Sequence, residues 1–269
     1  MLILDNRKKH EQNNYDSRIN NNKMEGIMSA IEKSYSYLYR KIVKSINPLK
    51  KKIIKTECIV HRFINNQAIE ILKNDKHDEI YTIYSKYIDD INEGVVWADQ
   101  DFKSSNHFYN PNTKKGLYGN SNAKIECITY YKRAIKEYFN GDIKLSMFYL
   151  GAACHLIQDL TIPQHANVEL LHNHRQYENW VIKMHNQQEK FRVKKGGIYL
   201  KSIEGYILFN TKAALEVHRK YSVIKNEHIR FYRTTSIVLV IAQKTTAGLM
   251  YNFFYDIKRH EALSFFTIS

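Results

Sequence analysis

The segment HLIQDLTIPQH, His155 to His165, sets two histidines and an aspartate among positions that otherwise ask for burial. On a helix, residues four apart share a face, so His155 and Asp159 can converge on one point. Pro163 is expected to break that helix, with the turn after it delivering His165. A second pair at the same spacing, His174 and Glu178 in HRQYE, follows shortly. Imidazole nitrogens mixed with carboxylates form a donor set suited to Zn²⁺. The chain holds 12 histidines, so any one of them also has an ordinary surface or core reading. Spacing alone leaves both open. Taken singly, His61 reads as a helix residue, Asp99 in GVVWADQDF as a helix end, and His107 in HFYNPNT as a loop residue.

The elements that must carry these residues read as helices. IIKTECIVHRFINNQAIEIL, residues 53–72, has apolar residues at Ile59, Phe63, Ala68, Ile69 and Leu72, and is expected to be a core helix bearing His61. NAKIECITYYKRAIKEYFNGD predicts a helix with Ile125, Ile128, Ile135 and Phe139 on its buried side, Asn122 as cap and Gly141 as stop. From Ile143 to about Asp159 the chain is apolar almost all round, as a central helix must be when neighbours surround it. Further helices are expected at 176–188, 203–219 and 227–257. The segment 191–202 reads as a loop with a short hairpin at Gly196-Gly197. With 3 prolines, 10 glycines and almost no strict alternation, the chain is expected to be all-α, a single multi-helix domain.

Lys and Arg outnumber Asp and Glu by 41 to 27, and the formal charge of +14 favours anionic partners: phosphates, nucleic acid or an acidic membrane surface. Three cysteines, Cys58, Cys127 and Cys154, make a disulfide-stapled small fold an unlikely framework. Residues 1–30 are expected to be a polar, disordered leader. Residues 31–52 are expected to be a basic amphipathic segment that rests on its own domain or on an anionic surface. No continuous apolar region of a secretory signal is readable, and the run SIVLVIAQKTTAGLMYNFFY, interrupted by Gln243 and Lys244, reads as a buried helix rather than a span.

Read in order, HRFINNQAIEIL, GVVWADQDF, HFYNP, FYLGAACHLIQDLTIPQHANV and HRQYENWV resemble the zinc-dependent bacterial phospholipases C. The resemblance implies an all-α domain of the phospholipase C/P1 nuclease type around a zinc cluster, here over residues 53–260. It implies Asp99, His107, His155 and Asp159 as ligands of one zinc and His165, His174 and Glu178 as ligands of a second. His61, with Asp159 as bridge, would serve a third. It further implies Asp99 as the carboxylate next to the attacking water, glycerophospholipid as substrate, and diacylglycerol with a phosphorylated headgroup as products, from a monomer.

The chain is expected to depart from that pattern in the unreadable secretion signal, since the family's members act outside the cell, and in two further places. No Trp precedes His61, where the family's mature N-terminal Trp completes the third site, which leaves the count at two or three ions. Glu57 or Cys58 could substitute, although both also read as plain helix residues. Of the headgroup aromatics, Gln100 and Ser104 stand at positions where rings are expected, leaving Phe108 as the candidate substrate contact, with Tyr109 beside it. Two other readings belong to the same residues: an S1/P1-type single-strand nuclease, which the charge favours, and a non-catalytic zinc-binding member of the fold.

Overall fold

The structure, a computed structural model, describes residues 58–100, 106–117, 121–168 and 174–268. The polar leader, the basic segment 31–52, Glu57 and Ser104 lie outside the described residues.

Nine α-helices and one 3₁₀ turn lie among the described residues, and no strand occurs there. In chain order they are α1 (Ile59–Asn74), α2 (Asp78–Lys86), α3 (Ile88–Ala98), α4 (Ala123–Phe139), α5 (Ile143–Asp159), α6 (Pro163–Asn167), α7 (His174–Met184), the 3₁₀ turn Glu189–Phe191, α8 (Ile203–Tyr221) and α9 (Glu227–Ile268). The all-α expectation is met.

Helix α5 is the centre. Its start is fixed by Asp142, whose carboxylate accepts from the amide of Leu145. From Leu150 to Asp159 every residue is buried, because α3 and α4 flank it and α9 crosses it. The approach to α3 is very close. A Cβ on Gly151 would stand 1.9 Å from the carbonyl oxygen of Ile91, and one on Gly94 would stand 1.8 Å from that of Phe148. Two glycines facing each other therefore let the backbones touch, which brings the end of α3, and with it Asp99, up to His155.

Helix α4 is capped by Asn122, whose side chain accepts from the amide of Ile125, and Gly141 beyond its end has a φ of +85°. Its buried side meets the expected one in part: Ile128 and Ile135 pack against the core, and the two ends of that row do not. Ile125 and Phe139 are 52% and 49% exposed, while Ala123, Cys127, Tyr131, Ala134 and Glu137 are buried. Small side chains at Cys127 and Ala134 allow α4 to lie close along α5, so volume rather than hydrophobicity chose the contact face.

Helix α9 runs 42 residues, longer than the expected 227–257. By length and composition it could cross a membrane, but 67% of its most apolar window is buried inside the protein. Gln243 sits fully buried within it, donating to the carbonyls of Phe191 and Leu239 and accepting from the amide of Val193. The expected hairpin at Gly196-Gly197 does not form. The segment is pinned instead: Asp75, just past α1, accepts from both glycine amides and from the Tyr199 hydroxyl, and the Ile198 amide donates to Lys244 O on α9.

Candidate metal centre

The last turn of α5 carries His155 and Asp159, as the four-residue spacing requires. After Asp159 the helix stops, with Leu160 as C-cap and an extended Ile162. Pro163 does not break α5: it opens the short helix α6, where its missing N–H and fixed φ suit the first position. His165 stands on α6. The stretch 107–109 is stitched alongside, the Tyr109 amide donating to His165 O and the ring of His165 donating from Nδ1 to His107 O. His61 comes from the first turn of α1, Asp99 from the C-cap of α3, and His174 and Glu178 from one face of α7.

The structure brings all eight sequence-selected residues together in three groups that could hold a metal ion: His61, His155 and Asp159; Asp99, His107 and His155; and His165, His174 and Glu178. The third matches the set the resemblance implies. The first two share His155, so the partition between them differs from the implied one, in which His155 serves only the site of Asp99 and His107.

Distances fit ligation. Asp159 Oδ2 is 2.8 Å from His107 Nδ1 and 3.1 Å from His155 Nε2, and those two nitrogens are 3.2 Å apart. His174 Nε2 lies 3.0 Å from His165 Nε2 and 3.2 Å from Glu178 Oε1. Donors about 2.0–2.1 Å from a tetrahedral zinc stand roughly 3.3 Å from each other, and these five separations all lie near that spacing.

Tautomers point the same way. His107 donates from Nε2 to Ala98 O at 3.1 Å, which leaves a lone pair on Nδ1 in the neutral ring. That lone pair faces the Asp159 carboxylate at 2.8 Å, and Asp159 Oδ2 has no hydrogen bond of acceptable geometry despite this approach. Two acceptors held face to face in a buried site need a proton or a cation between them. His165 and His61 are ordered alike, each donating from Nδ1 to an oxygen, His107 O and Gln158 Oε1, and aiming Nε2 at the cluster. Outer partners of this kind are what hold metal-binding imidazoles in place. His155 Nδ1 has no partner.

Burial pushes His165 down to about 3 and lowers His61 and His174. All three are thus held in the neutral form a metal requires. Burial would raise Asp159, but the neighbouring histidines, His155 first, hold its carboxyl well below the usual range. Glu178 is pushed up to about 7, by desolvation first and then by Asp159 and Asp99. Its side chain is 45% exposed, so water screens part of that effect.

Asp99 stands apart from this buried set: its side chain is 29% exposed, and Oδ1 lies 3.9 Å from His155 Nε2, longer than the other approaches. Cys58 is not a plain helix residue. It caps α1 in a left-handed conformation, φ 46°, and its buried Sγ lies 3.5 Å from Asp99 Oδ2. It belongs to none of the three groups. Phe108 is 1% exposed, its ring stacked on His165 at 4.6 Å, so it braces a histidine and presents no open face to a substrate. Sequence reasoning passed over Gln158, Asn65 and Thr246, buried polar residues behind the cluster. The signal was a glutamine inside the all-buried stretch of α5.

An all-α fold with a buried His/Asp/Glu cluster at the ends of its central helices defines a class of helical metalloproteins. The sequence profile of the family described as zinc dependent phospholipase C matches residues 60–233, and the chain belongs to that family. It is similar to a phospholipase C of Bacillus cereus, 29% identical over 155 residues covering 52% of this chain and 53% of the relative. A phospholipase C of Clostridium novyi is 26% identical over 240 residues, 74% of this chain and 59% of the relative. Among solved structures, an alpha toxin from Clostridium absonum superposes with a TM-score of 0.65 at 23% identity, covering 74% of this chain and 63% of the toxin. That likeness concerns the fold. The chain thus spans between about half and two thirds of the length of these relatives.

Proposed function

We propose that residues 53–260 form a catalytic domain that hydrolyses glycerophospholipids to diacylglycerol and a phosphorylated headgroup with two or three zinc ions. What carries this reading is the convergence of eight candidate donors, among them His61, His107 and His165 with their outer nitrogens occupied, in a chain of this family. Asp99, His107, His155 and Asp159 would hold one ion, and His165, His174 and Glu178 a second. His61 with Asp159 would hold a third, their Nε2 and Oδ1 atoms lying 3.4 Å apart. When bound, zinc would supply Lewis acidity, lowering the pKa of water and neutralising charge on the phosphodiester oxygens.

The chain's own residues do the rest. Asp99, the most exposed carboxylate of its group, orients the attacking water and accepts its proton. Water oxygen then bonds to phosphorus, the bond from phosphorus to the glycerol oxygen breaks, and a proton passes to that oxygen to give diacylglycerol. His107, His155 and Asp159, with side chains no more than 5% exposed, keep the metal side of the site dry, which strengthens every charge interaction there. The +14 charge draws the chain to anionic surfaces, and this is the observation that also favours a nucleic-acid substrate.

Elemental analysis of the purified chain should give two to three zinc per molecule. Chelator should abolish hydrolysis of phosphatidylcholine or phosphatidylglycerol vesicles. Metal content near zero ends the cluster reading; cleavage of single-stranded DNA without cleavage of phospholipid puts the nuclease in its place.

A further inference from the structure

Behind the cluster runs a chain of side-chain amides. His61 Nδ1 donates to Gln158 Oε1 at 2.8 Å, Gln158 Nε2 donates to Asn65 Oδ1 at 2.9 Å and to Thr246 Oγ1 at 3.1 Å, and Asn65 Nδ2 donates to Asn92 Oδ1 at 3.0 Å. Gln158, Asn65 and Thr246 are 1%, 0% and 0% exposed, and Asn92 at the far end is half-buried. No polar group of the Gln158 amide is left over, so its orientation is set by its neighbours.

Such a chain has a direction. In this orientation every amide donates away from the metal centre, Gln158 offers an oxygen to His61, and the His61 proton resides on Nδ1. Nε2 then carries a lone pair that faces Asp159 Oδ1. If the amides turned together, Gln158 would offer an N–H to Nδ1, the proton would move to Nε2, and no donor would remain for a metal. We infer that Gln158 is the positioning residue of His61: through the Asn65–Asn92 relay it holds His61 in the tautomer and ring orientation in which Nε2 can ligate zinc. This rests on the proposed role of His61 as a ligand. A glutamine from α5, the helix that also carries His155 and Asp159, thereby locks α1 to the cluster.

The test is a double-mutant cycle on the full chain, read as zinc affinity against a chromogenic chelator. Gln158→Leu should weaken one zinc by about 10–100-fold, the usual effect of removing an outer partner of a metal-binding histidine. In a His61→Ala background the same substitution should change affinity less than about twofold, because an interaction that acts through His61 cannot add to its loss. Equal weakening in both backgrounds overturns the inference, since it shows a general packing role. Asn92→Asp accepts but cannot donate, keeps the relay in its present direction at a half-buried site, and should retain wild-type affinity. Nitrogen-15 spectra of metal-free protein give a readout that needs no zinc: His61 should be protonated on Nδ1 in wild type and Asn92→Asp, and gain Nε2–H in Gln158→Leu. An Nε2–H tautomer in the wild type would sink the relay. A wild-type chain that binds no zinc but shows the Nδ1–H tautomer would sink the proposed function and leave the relay standing.

Discussion

At the scale of single residues, the centre packs a buried carboxylate against imidazoles that must either carry a proton or share a cation with it. Asp159 is that carboxylate: at 5% side-chain exposure it meets His107 and His155 on one oxygen and His61 on the other. Removing one of these partners strands charge in a buried site. His155→Ala is therefore expected to lose zinc by more than 100-fold, beyond the roughly 10–100-fold of an outer-partner change. It should also lower the stability of the metal-free protein by about 3–5 kcal/mol, the range for breaking a buried ion pair from one side. Chelator competition and urea unfolding check the two parts. Normal metal content in a folded variant would remove His155 from the site.

At the scale of elements, helix contacts decide whether these residues meet at all. The crossing of α3 over α5 depends on Gly94 and Gly151, with a Cβ at Gly151 only 1.9 Å from a backbone oxygen. Gly151→Ala gains about 1 kcal/mol of helix propensity. The clash requires the two backbones to separate, so a net destabilisation of about 2 kcal/mol or more is expected. Because Asp99 rides on the end of α3, zinc affinity should fall as well, though no ligand has been touched. A stabilised variant with unchanged zinc binding would show the crossing to be compliant. The same scale explains the revised face of α4 and the revised role of Pro163. Contact faces follow side-chain volume, and a proline suits the start of a helix as well as its end.

At the scale of the whole molecule, the cluster ties together elements far apart in sequence. Residues from α1, α3, the 107–109 stretch, α5, α6 and α7 converge on it, while the packed apolar core lies mainly along α5 and α9. Bound metal should then act as a cross-link on the folded state alone. At a free zinc concentration about 1,000 times the dissociation constant, binding contributes roughly 4 kcal/mol. Calorimetry should show a lower Tm after chelation that is restored by zinc in a concentration-dependent manner. An unchanged Tm would mean that the metal is not coupled to folding.

The sequence by itself determined the helical class, the two four-residue pairs, and, through ordered motifs, the family and the eight candidate ligands. Those properties are local or ordered along the chain: periodicity, spacing and short words survive in one dimension. It did not determine which residues close the cluster from behind, that His155 stands within reach of two groups, or that Phe108 is covered. Gln158, Asn65, Asn92 and Thr246 meet only because α1, α3, α5 and α9 are packed together, across separations of 27 to 93 residues. Cys58 shows the same limit. Its letter reads as a helix residue, and only its left-handed backbone, set by the start of α1, turns its sulfur toward Asp99. Whether a polar side chain is a flaw in a buried helix or a support for a ligand depends on what lies opposite, and that is decided only when the helices close on one another.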